Sequence, residues 1–266
     1  MKTAFIGGGN MGEAMLAAIL EKGLSVPQDI LVSDVIEARR QYLKQRYSVI
    51  VLSNNLGALP TGDVIVLAIK PQNLVGVMAE LSGRLKPTQL VLSIIAGAKI
   101  DTLHRGLKHG CIVRAMPNTP AQIGEGMSVW TATAEVTEEQ RAGAGSIIGA
   151  MGKEIYVDNE KYIDMATAVS GSGPAYVFLF MESLVDAAVD IGLPRDMAQK
   201  LVLQTIVGAG HFVQKSGKEL DELRRMVTSP GGTTAEALLQ FEEGKLLETV
   251  KQAVEAAYNK ARELGK

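Results

Sequence analysis

Cysteine is almost absent from this chain, which carries a single one, Cys111, among 266 residues. One thiol excludes an internal disulfide and leaves no cysteine pair that could bind a metal ion. Histidine is scarce as well, and no histidine has a carboxylate or a cysteine at ligand spacing. We therefore predict no metal site and no catalytic role for the histidines, which are His104, His109 and His211.

An excess of positive charge and a long apolar run are also missing. The chain has 27 basic and 29 acidic residues, without the basic surplus that nucleic-acid binding usually requires. Its strongest apolar runs, at 64–69 and 176–181, are far shorter than the roughly 20 residues of a membrane span. The first residues form a strand pattern instead of a charged segment followed by an apolar one. We expect a cytoplasmic, enzyme-sized protein that binds neither nucleic acid nor a membrane.

Strand and helix patterns alternate through the first 162 residues. Runs such as 64–69 and 90–95 are apolar at nearly every position, which is typical of a parallel sheet covered by helices on both faces. Beyond about residue 163 the strand signals stop and the patterns are helical. We predict a doubly wound α/β domain of the Rossmann type over 1–162 and an all-helical domain over 163–266.

Glycines at G-x-G-x-x-G spacing follow the first predicted strand. Gly7 would allow a tight turn, Gly9 would let the backbone approach a pyrophosphate, and Gly12 would let the helix pack on the strand. The N–H groups and the dipole of the following helix favour phosphates. We therefore expect residues 7–12 to bind a dinucleotide. A glycine-rich turn without a ligand is the alternative, since the chain has 28 glycines.

Asp34 closes the second predicted strand, about 20 residues after the glycine motif, where an acidic side chain can accept hydrogen bonds from the adenosine ribose. Taken alone it favours NADH over NADPH, because a carboxylate repels a 2′-phosphate. Two alternatives stay open. Asp34 could be a solvated residue at a strand end, and Arg39 or Arg40 could turn towards the phosphate.

The predicted helix at 174–191 lacks a broad polar face. Glu182, Asp186 and Asp190 recur every four positions, and apolar residues cover most of the remaining circumference. Such a helix needs burial on more than one side, and a domain of roughly 100 residues has a limited core of its own. We predict a homodimer with this helix in its interface. The alternative is a central helix of a bundle.

A second possible anion site lies at 227–236, where VTSPGGTTAE opens into a helix. The backbone N–H groups of Gly232, Thr233 and Thr234 can converge on an anion at the helix start, and the Ser229 hydroxyl is a further donor. The alternative is a capped helix start with Thr233 or Thr234 as the N-cap residue.

Five motifs together resemble pyrroline-5-carboxylate reductase across the whole chain, in the family's order and spacing. They are FIGGGNMGEAM near the start, AIKPQ at 68–72, MPNTP at 116–120, SGSGPAY at 170–176 and VTSPGGTTAEALLQFE from 227. The resemblance implies NAD(P)H-dependent reduction of 1-pyrroline-5-carboxylate to L-proline, the last step of proline biosynthesis. It also implies a Rossmann domain followed by a helical dimerisation domain, and dimers that can assemble into rings.

The resemblance also implies roles for individual residues. Besides Asp34, the residues implied to bind the cofactor are Gly7, Gly8, Gly9, Asn10, Met11, Gly12, Asn55, Ala68, Lys70, Pro71 and Asn118. The residues implied to bind the substrate are Ser172, Ser229, Gly231, Gly232, Thr233 and Thr234. Many members prefer NADPH, so Asp34 leaves the choice between NADPH and NADH open. Some members carry alanine at the position of Thr233.

Thr234 is the candidate catalytic residue. Hydride transfer to a cyclic imine depends on holding the cofactor and the imine carbon about 3 to 3.5 Å apart, and the cofactor supplies the reactivity. A threonine hydroxyl is a poor acid, so we assign Thr234 as a hydrogen-bond donor to the imine nitrogen or the carboxylate, with relay of a proton as a further option.

Two rival functions fit part of the sequence. β-Hydroxyacid dehydrogenases join similar domains but use a lysine in a glycine-rich helix start, and 170–180 contains no lysine. A non-catalytic NAD(P)-sensing protein would need GGGNMG but would have no use for SPGGTT.

Overall fold

The computed structural model describes residues 1–265, which form one sheet and a set of helices. The strands are β1 (Thr3–Ile6), β2 (Ile30–Ser33), β3 (Ile50–Leu52), β4 (Val64–Leu67), β5 (Leu90–Ser93), β6 (Ile112–Met116), β7 (Gly126–Ala132) and β8 (Gly152–Tyr156). The α-helices are α1 (Asn10–Glu21), α2 (Glu37–Tyr47), α3 (Leu74–Leu81), α4 (Ile100–Leu107), α5 (Glu138–Gly149), α6 (Lys161–Ala166), α7 (Gly173–Asp190), α8 (Arg195–Ser216), α9 (Leu220–Met226), α10 (Thr233–Glu243) and α11 (Leu246–Leu264).

The eight strands form one sheet in the order β3-β2-β1-β4-β5-β6-β7-β8. The pairs are parallel except β6 with β7. Only a short 3₁₀ turn, Thr119–Ile123, joins these two strands, and a parallel crossover needs a longer connection. The predicted doubly wound Rossmann-type domain is confirmed. It differs from the predicted parallel sheet in one antiparallel pair of strands. The strand order reverses between β1 and β4, which is where such sheets bind ligands.

Helices cover both faces of the sheet, so β1, β2, β4 and β5 are buried at every position. Side chains alternate between the faces along each strand, and they form two separate apolar clusters. Phe5 belongs to one cluster with Met15 of α1, whereas Ile6 belongs to the other with Leu81 of α3. The double burial explains the continuous apolar runs in the sequence.

Residues 173–255 form a second compact unit, which is entirely helical apart from its connections. Its apolar core is small and consists of Val185, Ala198 and Val202 with partly buried neighbours. Many large apolar side chains on its helices are exposed instead, including Phe178, which is 59% exposed, and Leu179, which is 63% exposed. The predicted all-helical domain is confirmed, and its helices retain a large uncovered apolar surface.

The compact units divide the chain at other points than the predicted boundary between 162 and 163. Residues 1–172 cluster together with those from 256 onward, and 173–255 form the other unit. Segment 163–172 groups with the sheet because Ile163 and Ala168 are buried and Asp164 pairs with Arg114 of β6. The assignment of 163–266 to one functional domain stays a prediction.

One helical stretch, Lys161–Asp190, is long and apolar enough to cross a membrane by length and composition alone, although no such stretch was expected. It passes because alanine, valine and leucine residues on either side of the short run at 176–181 keep the mean hydropathy high. Only 11% of its most apolar window is buried within the chain. A core helix of a soluble protein passes the same test, and the carboxylates of Glu182, Asp186 and Asp190 would be costly in a bilayer.

Candidate active site

The three spaced glycines lie between β1 and α1 and have different surroundings. Gly7 has a φ of +99°, and a Cβ atom there would lie 2.7 Å from the carbonyl oxygen of Ala68. A Cβ atom at Gly12 would lie 2.7 Å from the carbonyl oxygen of Gly7. At Gly9 a Cβ atom would meet nothing within 4 Å. The turn therefore requires Gly7, the helix packing requires Gly12, and Gly9 leaves open space beside the loop.

Four backbone N–H groups at the start of α1 have no hydrogen-bond partner within residues 1–265. They belong to Gly9, Asn10, Met11 and Gly12. The first bond of the helix runs from Glu13 N–H to Gly9 O at 2.8 Å, and no side chain caps the helix. These donors and the helix dipole lie at the switch point of the sheet, and such a helix start suits an anion.

Asp34 lies directly beside this loop, just beyond the end of β2. Its Oδ2 accepts the N–H of Gly8 at 2.9 Å, and its Oδ1 accepts the N–H of Ile36 at 2.8 Å. Both oxygens are thus bonded to backbone, and the side chain is not simply solvated. Gly8 differs from residues 9–12, because its N–H is already bonded to Asp34.

The two arginines near Asp34 are both engaged. Arg39 donates from Nε to the carbonyl oxygen of Gly8 and from Nη2 to the carboxylate of Glu13. Arg40 donates from Nη1 to the backbone oxygen of Asp34 at 2.7 Å. Their side chains are 22% and 14% exposed. Either arginine would have to break these bonds before it could turn towards a 2′-phosphate.

Glu13 is a group that sequence reasoning missed. It lies in the first turn of α1 and accepts hydrogen bonds from Arg39, Tyr42 and Tyr47 of α2. Burial disfavours its charged form, but the bonds from Tyr47, Arg39 and Tyr42 outweigh burial and lower the pKa of Glu13. No local motif signals this cluster, because Glu13 lies 26 to 34 residues from its three partners.

The residues after β3 and β4 occupy the same edge of the sheet as the glycine loop. The side-chain amide of Asn55 accepts from Ser33 Oγ at 2.5 Å and donates to Glu80 at 2.7 Å. Ala68 contacts the turn, since its N–H donates to Ile6 O at 2.9 Å. Lys70 and Pro71 follow and are exposed. Asn55 is therefore tied into the protein rather than held out towards a ligand.

Asn118, just beyond β6, links two parts of the chain. Its Oδ1 accepts the N–H of Met127 at 2.8 Å, and its Nδ2 donates to Ser170 O at 3.0 Å. Ser170 belongs to a π-helical turn, Thr167–Gly171, of a kind frequent at functional sites. Ser172 follows this turn and donates its N–H to Thr167 O at 2.8 Å. The structure thus brings the predicted Asn118 together with the segment that carries Ser172.

A buried arginine anchors the same segment to the sheet. Arg114 of β6 has a side chain that is 3% exposed, and it donates to Glu160 at 2.7 Å and to Asp164 at 2.8 Å. Glu160 also accepts the N–H of Ile100 at 2.8 Å. Sequence reasoning did not select Arg114, because its partners lie 46 and 50 residues further along the chain.

The second anion loop lies in the helical unit, where α10 begins at Thr233 with Gly232 as its N-cap residue. The alternative that Thr233 or Thr234 is the N-cap residue is wrong, and no side chain caps this helix. Gly231 has a φ of +69°, which favours glycine. A Cβ atom at Gly232 would lie 2.4 Å from Ser229 Oγ, so this turn is too tight for a side chain.

The free donors of this loop differ in one respect from the prediction. Gly232 donates its N–H to Ser229 O at 3.1 Å, so it is not available to an anion. The N–H groups of Thr233 and Thr234 have no partner among the residues described, and neither have the hydroxyls of Ser229 and Thr234. The helix start thus presents two backbone donors and two hydroxyls.

Comparison with known proteins assigns the chain to a family. A pyrroline-5-carboxylate reductase from Synechocystis sp. is 41% identical over 266 residues, which cover 100% of this chain and 99% of the relative. The chain belongs to the pyrroline-5-carboxylate reductase family. Residues 160–264 match the family model described as pyrroline-5-carboxylate reductase dimerisation, and residues 2–97 match the one described as NADP oxidoreductase, coenzyme F420-dependent.

Solved pyrroline-5-carboxylate reductases share the fold over the full length. The enzyme from Coxiella burnetii has a TM-score of 0.91 at 37% identity and covers 100% of this chain and 98% of its own. The enzyme from Plasmodium falciparum, solved with NADP bound, has a TM-score of 0.91 at 33% identity with the same coverage. Pyrroline-5-carboxylate reductases catalyse the last step of proline biosynthesis with NAD(P)H, and the chain is an oxidoreductase of this kind with a dimerisation domain.

Proposed function

We propose that this chain reduces 1-pyrroline-5-carboxylate to L-proline with the cofactor pyrophosphate at Gly7–Gly12 and the substrate carboxylate at Ser229–Thr234. One observation carries the assignment: consecutive glycines, 7–9 and 231–232, directly precede the starts of α1 and α10, which no side chain caps and where backbone N–H groups have no partner among the residues described. The reaction has two anionic reactants, the dinucleotide and the imino acid. Each helix start provides donors for one of them.

Two features support the cofactor assignment. The glycine loop lies at the switch point of the sheet, and its four free N–H groups suit a pyrophosphate. Asp34, Asn55, Ala68 and Lys70 follow neighbouring strands at the same edge, where the rest of a dinucleotide would extend. The bonds of Asn55 and Asn118 to other protein groups support a role in shaping this edge, alongside any contact with the cofactor.

The hydrogen-bond donors of the second loop support the substrate assignment. Thr233 and Thr234 offer backbone N–H groups that can bond the two carboxylate oxygens, and the Thr234 hydroxyl is free to donate to the imine nitrogen or to the carboxylate. A threonine hydroxyl is a poor acid, so we assign Thr234 to positioning of the substrate. Hydride comes from the cofactor, and the imine nitrogen takes up a proton as the imine carbon is reduced.

The assembly that we propose is a homodimer through the helical unit, with a ring of dimers as a larger form, in the cytoplasm. The exposed apolar side chains of α7, α8 and α11 support this, because a monomer rarely leaves so many uncovered. The apolar groove between α7 and α11 has a volume of about 310 Å³ and is lined in part by Leu179, Phe180 and Val250. A second copy of the chain would cover these surfaces.

The deciding experiment replaces Thr234 with alanine and measures steady-state kinetics with both reactants varied. Thr234→Ala should lower kcat/KM for pyrroline-5-carboxylate by roughly ten- to a thousandfold, the scale of one or two charge-assisted hydrogen bonds, and should leave cofactor affinity unchanged. Thr233→Ala is the matched control, because it retains the backbone N–H and should cost less than about threefold. A Thr234→Ala variant with normal kcat/KM, or one weakened chiefly towards NAD(P)H, would contradict the assignment.

A further inference from the structure

Gly8 is the residue of the glycine loop whose peptide groups are both held by side chains. Its N–H donates to Asp34 Oδ2 at 2.9 Å, and its carbonyl oxygen accepts from Arg39 Nε. Among the residues described, no other member of the loop 7–12 has a backbone group bonded to a side chain. Asp34 and Arg39 therefore fix the middle of the loop from the β2–α2 region, while the free N–H groups lie to its C-terminal side.

Arg39 is itself held in a fixed orientation. Its Nη2 pairs with the carboxylate of Glu13, and its guanidinium lies 5.0 Å from the centre of the Tyr42 ring. Glu13 in turn accepts from Tyr42 at 3.1 Å and from Tyr47 at 2.8 Å. Because the guanidinium fork is planar, bonding to Glu13 on one side fixes the direction of Nε on the other.

We infer that Arg39 is a positioning residue for the dinucleotide, which holds the Gly8 carbonyl so that the next N–H groups face the pyrophosphate, and that Glu13 keeps Arg39 in this position. This inference rests on the proposed binding of the pyrophosphate at Gly7–Gly12. Arg39 acts through the loop and not on the ribose phosphate. Loss of Arg39 should therefore weaken the binding of NADH and of NADPH by the same factor. Loss of a side chain that binds the 2′-phosphate would instead weaken the binding of NADPH only.

The experiment measures the Kd of NADH and of NADPH for the full-length protein by fluorescence titration. Arg39→Met should raise both values about tenfold, the scale of one charge-assisted hydrogen bond, without changing KM for pyrroline-5-carboxylate at saturating cofactor. Arg46→Met is the matched control: it removes the same charge from the same helix, and Arg46 lies 3.8 Å from Glu13 but makes no bond to the glycine loop. It should change neither Kd by more than about twofold.

Glu13→Gln separates positioning from simple charge attraction. If charge attraction alone mattered, loss of a negative charge near the loop would tighten the binding of an anionic cofactor. If Glu13 instead holds Arg39 in place, its loss should raise the Kd of both cofactors by about threefold or more. Tighter or unchanged binding in Glu13→Gln would overturn the inference. Equal weakening by Arg46→Met and Arg39→Met would overturn it as well.

Two further variants complete the test. Gly9→Ala should weaken the binding of both cofactors. If it does not, the glycine loop is not the pyrophosphate site, and the proposed placement of the cofactor at Gly7–Gly12 is wrong. If Gly9→Ala weakens binding and Arg39→Met does not, only the inference about Arg39 is wrong. If Arg39→Met fails to fold, Arg39→Lys takes its place in the measurement. It keeps the charge without the planar fork and should also raise both Kd values.

Discussion

At the scale of single residues, the glycine loop combines positions with opposite tolerance for a side chain. Gly12 is in contact with Gly7, and a Cβ atom there would lie 2.7 Å from a backbone oxygen. Gly9 has open space within 4 Å. The fold therefore accounts for glycine at position 12. At position 9 no contact among the described residues requires glycine, and two reasons for it remain: the preference of an N-cap position for glycine over alanine and the close approach of a ligand to the backbone.

Gly9→Ala should lower the free energy of unfolding by no more than about 1 kcal/mol, the scale of the N-cap preference for glycine over alanine, and should weaken binding of NAD(P)H, because the new methyl group would occupy the space of the pyrophosphate. Gly12→Ala should instead destabilise the protein, since overpacking in a closed contact typically costs about 1 to 3 kcal/mol. Chemical denaturation and cofactor titration of both variants measure the two effects. A Gly9→Ala protein with normal cofactor affinity would contradict this expectation.

Asp34 has two functions in the structure, and substitutions can separate them. Its carboxylate bonds the N–H groups of Gly8 and Ile36, and its charge would repel a 2′-phosphate. Asp34→Ser should raise kcat/KM for NADPH relative to NADH, although the loosened loop should weaken both cofactors. Asp34→Asn is the control that keeps one carbonyl acceptor and removes the charge, and it should shift the ratio in the same direction. An unchanged ratio in both variants would show that Asp34 does not face the ribose.

At the scale of elements, the end of β6 is the point where several segments are tied together. Arg114 joins β6 to Glu160 and Asp164 of the segment around α6, and Asn118 joins the next turn to Ser170. The two ties lie on either side of Met116. The segment that leads to Ser172 is therefore fixed to the sheet by polar groups, one of which is almost fully buried.

Arg114→Met should lower the free energy of unfolding by about 3 to 5 kcal/mol, because it leaves the carboxylate of Asp164 buried without its partner. Arg105→Met is a matched control, since the Arg105–Asp101 pair on α4 is 75% and 72% exposed and should contribute no more than about 0.5 kcal/mol. Urea denaturation at a fixed protein concentration compares the two. Equal losses of the free energy of unfolding in the two variants would show that burial of Arg114 does not determine the contribution of its ion pairs to stability.

At the scale of the whole molecule, the helical unit is the part with too little core. Its buried apolar residues are few, whereas α7 exposes several large apolar side chains, among them the consecutive Val177, Phe178 and Leu179. The length and composition of Lys161–Asp190 would also suit a membrane, but the regular carboxylates on α7 favour contact with protein and water. Family membership and the match to a dimerisation domain agree with contact between copies.

Leu179→Glu should shift the protein from dimer towards monomer in sedimentation experiments and lower its activity at low concentration, because the interface would bury an unpaired charge. Val26→Glu is the control: Val26 is 52% exposed and precedes β2, at the end of the strand away from the glycine loop. A wild-type protein that is a well-folded, active monomer at assay concentration would contradict the proposed dimer.

Much of the fold and part of the site could be predicted from the sequence. Strands buried on both faces are recognisable by continuous apolar runs, and the spacing of Gly7, Gly9 and Gly12 specifies a turn followed by a helix. The antiparallel position of β7 could not be predicted, because it depends on the connection Thr119–Ile123 being too short for a crossover. The bond from Gly232 to Ser229 was missed because a glycine pair does not reveal which N–H groups the turn uses.

The order of the elements, the consecutive glycines before α1 and α10 and the family can all be recognised from local patterns of residues. The side chains that hold these segments in place are set by the tertiary fold. Arg39 reaches Gly8 across 31 positions, and Arg114 reaches Asp164 across 50. Such pairs form because the parallel sheet brings residues that are distant in the sequence to one edge. No local preference of the chain indicates which distant residues will meet there.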